Sequence, residues 1–445
     1  MANLAGGIEA AQGTGIGAAE QRTTPEFRWL AAACTFGAAI EHYDFFIYAF
    51  TAPIVFDAVF FPRLDPIAGL IAVYATFAIG FVARPLGGIV FGHYADRIGR
   101  RVVLVLTLLL MGAASVLIGC LPGYVTIGIL APVALVLFRF VQGFAFGGEY
   151  MNAVTLNLES APASRRGFFA SLVNASGPVG IIVAAGLISL LTFAYSKDQF
   201  QSWIWRVPFL LSFVLVAAGT YMRLKMDESL LYQAALAAKK LPRVPLVAVL
   251  KAWKTSTVLA ILVNMVHSSF QYIATVFVLG YAVKQLGVSQ VGVTTGTMLA
   301  NIVEAAMVPL IAFYSDRIGR RPFIIAGIVL AAIWFPIYFQ LILQKDVVLL
   351  VLALVVAVGI IHALMFAPEA AFSAELFPTE VRVTGSSLGK QLGIICGGGI
   401  APLVATSLMG PGAGSFTPVI LYFEAMALLA FVGVLFAPEN FKRAL

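Results

Sequence analysis

Long apolar stretches alternate with short polar ones from one end of the chain to the other. The apolar runs lie near 28–56, 66–92, 101–121, 124–152, 166–194, 204–224, 255–284, 289–314, 321–343, 347–373, 383–409 and 416–437. A helix needs roughly 20 mostly apolar residues to cross the hydrocarbon of a bilayer. The pattern therefore predicts an all-α membrane protein with twelve transmembrane helices. An even number of spans places both termini on one side. Residues 1–26, rich in Gly, Ala, Thr and Gln, read as a disordered tail, and 438–445 as a second short tail.

Composition agrees with this reading. Of 445 residues, 61% are hydrophobic and 11% charged, against about 45–50% and about 25% in soluble domains. The net charge of +7 does not point to nucleic acid, because the basic residues sit in alternate loops. Arg97, Arg100, Arg101, Arg165, Arg166, Arg223, Lys225, Lys239, Lys240, Arg243, Arg317, Arg320, Arg321 and Arg382 fall on one side, with Lys442 and Arg443 in the tail. Arg63, Lys197, Arg206, Lys284 and Lys345 fall on the other. The excess marks the cytoplasmic side and places both termini there, in a bacterial-type inner (plasma) membrane. Cys34, Cys120 and Cys396 lie in apolar runs with no disulfide framework or metal spacing. The stretch Gly13-Thr14-Gly15-Ile16-Gly17 follows no strand and is not read as a nucleotide loop.

The chain also repeats itself. Asp96-Arg97-Ile98-Gly99-Arg100-Arg101 returns as Asp316-Arg317-Ile318-Gly319-Arg320-Arg321. Glu159 with Arg166 has a counterpart in Glu375 with Arg382, and Glu228 in Glu439. The longest polar connection, 225–254, falls between the copies. Two pseudo-symmetric six-helix bundles follow, 27–224 and 255–437, with a solute site expected where they meet.

Gly92-His93-Tyr94-Ala95-Asp96-Arg97-Ile98-Gly99-Arg100-Arg101, between the second and third runs, resembles the signature loop of the major facilitator superfamily. Three further stretches resemble its metabolite:proton symporter branch, which includes shikimate and α-ketoglutarate permeases. They are Glu41-His42-Tyr43-Asp44-Phe45-Phe46, Gly80-Phe81-Val82-Ala83-Arg84-Pro85-Leu86-Gly87-Gly88, and Arg139-Phe140-Val141-Gln142-Gly143 with Gly147-Gly148-Glu149. The likeness covers nearly the whole chain. It departs from the branch at His42, where Trp is common, and at Lys390, where an uncharged residue is expected. The resemblance implies that Arg139 pairs with Asp44 and that Arg84 meets the anionic group of the substrate.

Ionisable groups at membrane depth cost about 2.5–3.5 kcal/mol each on insertion scales, so each is a candidate for function. Glu41, Asp44 and Tyr48 share one helix face, and a carboxyl there can take and release a proton. Asp44, Arg139 and Glu41 form the proton-coupling set. The guanidinium fork of Arg84 suits a carboxylate, with Tyr48, Gln142, Gln271, Tyr272 and Lys390 as further binding candidates. A structural salt bridge from Arg84 to Glu41 or Glu149 is the other reading. Lys390 either snorkels to the interface or reaches the central cavity, and Glu304 or Glu369 could pair with it. His267 and His362 lack ligand spacing and read as hydrogen-bonded packing residues. Glu149, with Asp96, Arg97, Arg100, Arg101, Asp316, Arg317, Arg320 and Arg321, reads as gate machinery. Asp96 is suited to accept from helix N-terminal amides when that face is closed.

These features describe a proton-coupled symporter for a small organic acid, working by alternating access as a monomer, with no cofactor, metal or nucleic-acid partner. A zwitterionic osmolyte such as a betaine, held by Arg84 and the Tyr48 ring, is the alternative solute. A channel would need pore rings or filter carbonyls. An enzyme would need a catalytic constellation, which the sequence does not offer.

Overall fold

In a computed structural model the described residues are 25–64, 66–237, 245–278, 281–282, 286–409 and 415–442. The N-terminal tail through residue 24, and Lys239, Lys240, Arg243, Lys284 and Arg443, lie outside them. Helices follow all twelve apolar runs: α1 (Pro25–Phe60), α2 (Pro66–Ile98), α3 (Arg100–Cys120), α4 (Leu130–Ser160), α5 (Arg166–Ala194), α6 (Arg206–Leu224), α7 (Lys254–Phe277), α8 (Gln290–Ile318), α9 (Arg320–Leu343), α10 (Val347–Glu375), α11 (Arg382–Ile394, continuing through Ile395–Gly399 into Ala401–Met409) and α12 (Thr417–Phe436). Among the described residues nine helices are long and apolar enough to cross a membrane, or ten counting the bent pair Pro25–Ala52 and Ile54–Phe60.

The fourth helix begins later than its apolar run. Gly128 has φ +59 and ends a four-residue turn, Tyr124–Ile127, so α4 starts only at Leu130. Left-handed backbone suits glycine and interrupts a helix. In the connection between the two halves, short helices Leu230–Ala237 and Pro245–Ala252 are described.

Close packing of α2 on α4 depends on small residues. A Cβ on Gly143 would lie 2.0 Å from the Gly80 carbonyl oxygen, and one on Gly147 would lie 1.9 Å from that of Arg84. Backbones this near exclude any side chain between them. Arg84 and Arg139, carried on these two helices, are therefore held close together, both over the Phe45 ring, with Arg84 on the side that meets the other half.

At one end of the molecule the two halves lock to each other by the same device used twice. Asp96, at the end of α2, accepts from the amides of Val383 (3.3 Å) and Thr384 (2.8 Å) and from the Thr384 hydroxyl (2.7 Å). It thus caps the start of α11. Asp316, at the end of α8, accepts from the amides of Gly167 (2.7 Å) and Phe168 (2.8 Å) and caps α5. Each carboxylate meets the positive end of a helix from the opposite half.

The loops behind the caps are braced alike. Arg100 reaches Asp96 (3.5 Å) and Glu159 (3.4 Å), while Arg320 reaches Asp316 (2.7 Å) and Glu375 (3.2 Å). Glu228 accepts from the amide of Arg101 (3.0 Å), and Glu439 from those of Arg320 (3.2 Å) and Arg321 (2.9 Å). Gly99 (φ +106) and Gly319 (φ +119) carry the turns that bring these amides round. Among these bracing contacts, two cross between halves: Arg382 with Glu159 at 2.7 Å, and Arg100 with the Thr379 carbonyl at 2.9 Å. Burial holds the Glu228 carboxyl above its ordinary range, against the amide bonds from Arg101 and Ser229.

Asp96→Asn keeps the shape of the cap and removes its charge. It is expected to weaken the closed face by about 1 kcal/mol. Spin labels at the exposed positions 97 and 317 should then report a several-fold larger population with the two halves apart. An unchanged distance distribution would contradict this.

Candidate functional site

The interior is built around arginines from α2, α4 and α6. Arg84 is buried, and its guanidinium lies 4.2, 4.3 and 4.2 Å from the ring centres of Phe45, Phe81 and Phe146. Such contacts stabilise a desolvated cation by roughly 0.5–2 kcal/mol each. Among the described residues no carboxylate lies within ion-pairing distance of Arg84, and its Nε has no hydrogen-bond partner. Tyr272 of α7 lies near it, from the other half. The Tyr272 ring packs edge-on against Phe81 at 6.3 Å.

Arg139 and Asp44 are both fully buried, yet the pair implied between them is not formed. Ser212 of α6 donates to the Asp44 carboxylate, and the other Asp44 oxygen takes no hydrogen bond among the described residues. Arg139 bonds the Gln142 amide oxygen at 3.1 Å and covers the rings of Phe45 (4.1 Å) and Tyr48 (4.2 Å). Gly80 gives the guanidinium this berth: a Cβ there would stand 2.8 Å from the Arg139 Nε. Gln142 donates in turn to Ser115 (2.7 Å), and Tyr48 shares a 2.5 Å hydrogen bond with Thr76. Tyr48 is thus enclosed on both its ring and its hydroxyl.

Glu149 is not a brace between the halves. It lies inside the N-terminal bundle, where it accepts from Thr107 (2.7 Å) and from both terminal nitrogens of Arg223. Glu41 approaches the same guanidinium at 4.0 Å. Two buried carboxylates therefore share one arginine, so neither is the partner of Arg84. Arg223 itself, expected in a loop, is fully buried, because these acids draw it into the bundle. Two further expectations fail at the gate. Arg97 and Arg317 are exposed; Arg97 contacts His93 (3.4 Å) and Arg317 lies over Phe313 (4.4 Å). As first residues after the capping aspartates, they point off the far side of each helix. Arg101 and Arg321 do take part, through backbone amides and through side-chain bonds to the carbonyls of Leu224 and Leu435.

Lys390 reaches the interior and does not snorkel. It is buried, bonds Glu369 at 2.7 Å and lies 4.2 Å from the Tyr150 ring centre, across the junction of the halves. Glu304 pairs instead with His362, at 2.5 Å. Gln271 is half-buried on α7, and its backbone carbonyl accepts from Thr275 at 2.7 Å. The histidines are where sequence reasoning missed a connection. His267 and His362 are 95 positions apart and on different helices, but 3.3 Å from each other. No spacing in the chain could reveal that. Among the described residues no group of His, Cys, Asp and Glu could hold a metal ion.

A family model, Major Facilitator Superfamily, matches residues 34–389 and 259–444. The inner membrane metabolite transport protein YhjE of Escherichia coli (strain K12) is 39% identical, over 96% of this chain and 98% of its own. The shikimate transporter of the same organism is 35% identical, over 91% and 93%. Proline/betaine transporters match at lower identity. Among solved structures, the proton:xylose symporter XylE bound to 6-bromo-6-deoxy-D-glucose superposes with a TM-score of 0.75 at 18% identity, covering 93% of this chain and 96% of that one. Two six-helix bundles, paired signature loops and the match along the full length agree: the chain is a membrane transporter, not an enzyme, and belongs to the major facilitator superfamily.

Proposed function

We propose that the protein is a proton-coupled symporter that imports a small organic acid by alternating access. Arg84 carries this reading. It is a buried cation at the junction of the bundles, with no carboxylate within ion-pairing distance among the described residues. A guanidinium left without a carboxylate at depth is stabilised most by a bound anion, which it can grip with two parallel bonds. Tyr272 of the opposite half supplies a hydroxyl beside it. A hydroxylated carboxylate fits that pairing of groups, and a shikimate transporter stands among the relatives.

The surroundings weigh against a betaine, although proline/betaine transporters are also relatives. A quaternary ammonium needs a free aromatic face. The rings of Phe45, Phe81 and Phe146 already face Arg84, and that of Tyr48 faces Arg139. An ammonium placed there would meet arginine.

Asp44 is the proposed proton carrier. It is fully buried, with a neutral serine donating to it and no cation within ion-pairing distance among the described residues. Glu41 sits in the acid pair around Arg223 and would act with it. With a cytoplasmic interior negative outside-to-in, entry of a bare anion is opposed by about 2.3 kcal/mol per charge per 100 mV. Carrying protons with the anion removes that opposition.

Uptake of labelled organic acids, shikimate first, into proteoliposomes tests the reading. Asp44→Asn is expected to abolish accumulation driven by a pH gradient and to retain counterflow exchange. Full accumulation by that variant, or dependence of the wild type on sodium, would overturn proton coupling through Asp44.

Arg84→Lys keeps a cation and loses the fork. It should weaken acid binding ten- to a hundredfold, as expected for loss of about 1.5–3 kcal/mol from a charged hydrogen-bonding pair. Competition by unlabelled acids and by glycine betaine reads this out. Wild-type affinity in Arg84→Ala, or competition by betaine-like compounds alone, would sink the organic-acid reading.

A further inference from the structure

A continuous chain of hydrogen bonds crosses the C-terminal bundle, and the proposed function above makes no use of it. It starts at Glu304 on α8, whose Oε1 is 2.5 Å from the Nδ1 of His362 on α10. The His362 Nε2 is 3.3 Å from the Nδ1 of His267 on α7, and the His267 Nε2 is 3.3 Å from the Oδ1 of Asn264. Asn264 donates to Ser373 (3.3 Å), Ser373 donates to Glu369 (3.1 Å), and Lys390 donates to Glu369 (2.7 Å). Every member is buried.

Counting hydrogens along this chain fixes its protonation. The Asn264 amide nitrogen also donates to the Ala260 carbonyl at 2.8 Å. A carbonyl can only accept, so the amide is oriented with its oxygen toward His267. That oxygen cannot donate, so the hydrogen in the His267–Asn264 link belongs to His267 Nε2. One hydrogen is then needed between the two imidazoles and one between His362 and Glu304. The three links hold three hydrogens in all. An ionised Glu304 with two neutral imidazoles supplies only two. The third makes either a neutral carboxylic acid beside two neutral rings, or a carboxylate beside one imidazolium. Without it, a buried link is left with two acceptors facing each other, which costs roughly 1–3 kcal/mol.

We infer that Glu304, His362 and His267 form a second proton-binding site, holding one exchangeable proton in the C-terminal bundle. The inference rests on the reading of the protein as proton-coupled, and adds a site remote from Asp44. The charged and titratable groups facing it are Lys390 on α11, Glu369 on α10 and Tyr150 on α4. Asn264 and Ser373 connect it to the Lys390–Glu369 pair. Lys390 in turn lies against Tyr150 of the other half, so four successive hydrogen bonds link the site to the surface along which the bundles meet.

Infrared difference spectroscopy of the full chain in lipid vesicles, between pH 4 and pH 10, reads this site without any solute. The wild type should show a carboxyl band and an imidazole band that titrate together as a single proton. Glu304→Gln and His362→Gln should each remove both bands, whereas Asp44→Asn should leave them in place. Absence of a jointly titrating pair in the wild type overturns the inference with no variant needed. So does survival of the imidazole band in Glu304→Gln. Since the uptake assay on Asp44→Asn is separate, proton coupling through Asp44 and storage in the C-terminal bundle can fail independently.

Discussion

A charge placed where water cannot follow has to find its stabilisation within the protein, and this constraint organises the interior. The cost of an isolated buried ion is several kcal/mol after relaxation. Arg223 is answered by Glu149 and Glu41, Lys390 by Glu369, and Glu304 by His362. Arg139 is answered by an amide oxygen and two ring faces. Arg84 has ring faces and a tyrosine, all weaker than a carboxylate. Under the proposed function, the imbalance at that position is what suits the junction of the bundles to an anion.

The two halves are alike where they close and unlike in their interiors. At the closed face each element recurs: Asp96 with Asp316, Arg100 with Arg320, Glu159 with Glu375, Glu228 with Glu439. Each pair performs the same bond in each half. Inside, the N-terminal bundle concentrates arginines and aromatic rings, and the C-terminal bundle holds histidines and a lysine. A symmetric frame with unequal contents can rock about its pseudo-axis while presenting different chemistry from its two walls.

Much of this was legible in the chain. Helices follow all twelve apolar runs, nine or ten of them among the described residues long and apolar enough to cross a membrane, because a span in lipid must satisfy its backbone within the helix. The offsets that relate Glu159 to Glu375 and Glu228 to Glu439 were visible as repeats, and in the fold these glutamates are the acids bracing the two signature loops. Pairing was not legible. The expected Asp44–Arg139 contact gives way to Ser212 and to the rings of Phe45 and Tyr48. Glu149 turns to Arg223, which counting loop charges had placed outside the membrane. In each case the outcome turned on how a long side chain lies across a helix junction, which depends on the small residues opposite it. Gly80, which makes room for Arg139, is a glycine among forty-one. The chain Glu304–His362–His267 joins three helices distant in sequence, so only the packed bundle could expose it.

The closing contacts have a property suited to a reversible switch. Asp96, Asp316 and Glu159 are carboxylates that bond to backbone amides and arginines of the opposite half. Separating the halves at that face breaks all of these bonds together, yet it also admits water to the same groups. A carboxylate released into water recovers most of the stabilisation it loses, so net values near 1 kcal/mol are typical of such bonds. The apolar contacts between halves behave oppositely, since their exposure is not compensated by hydration. A face held by polar caps therefore opens at modest cost, while the apolar packing within each bundle keeps the six helices together as a body. The arrangement permits two states of similar free energy, and under the proposed function small differences in how solute and protons bind each of them decide which prevails.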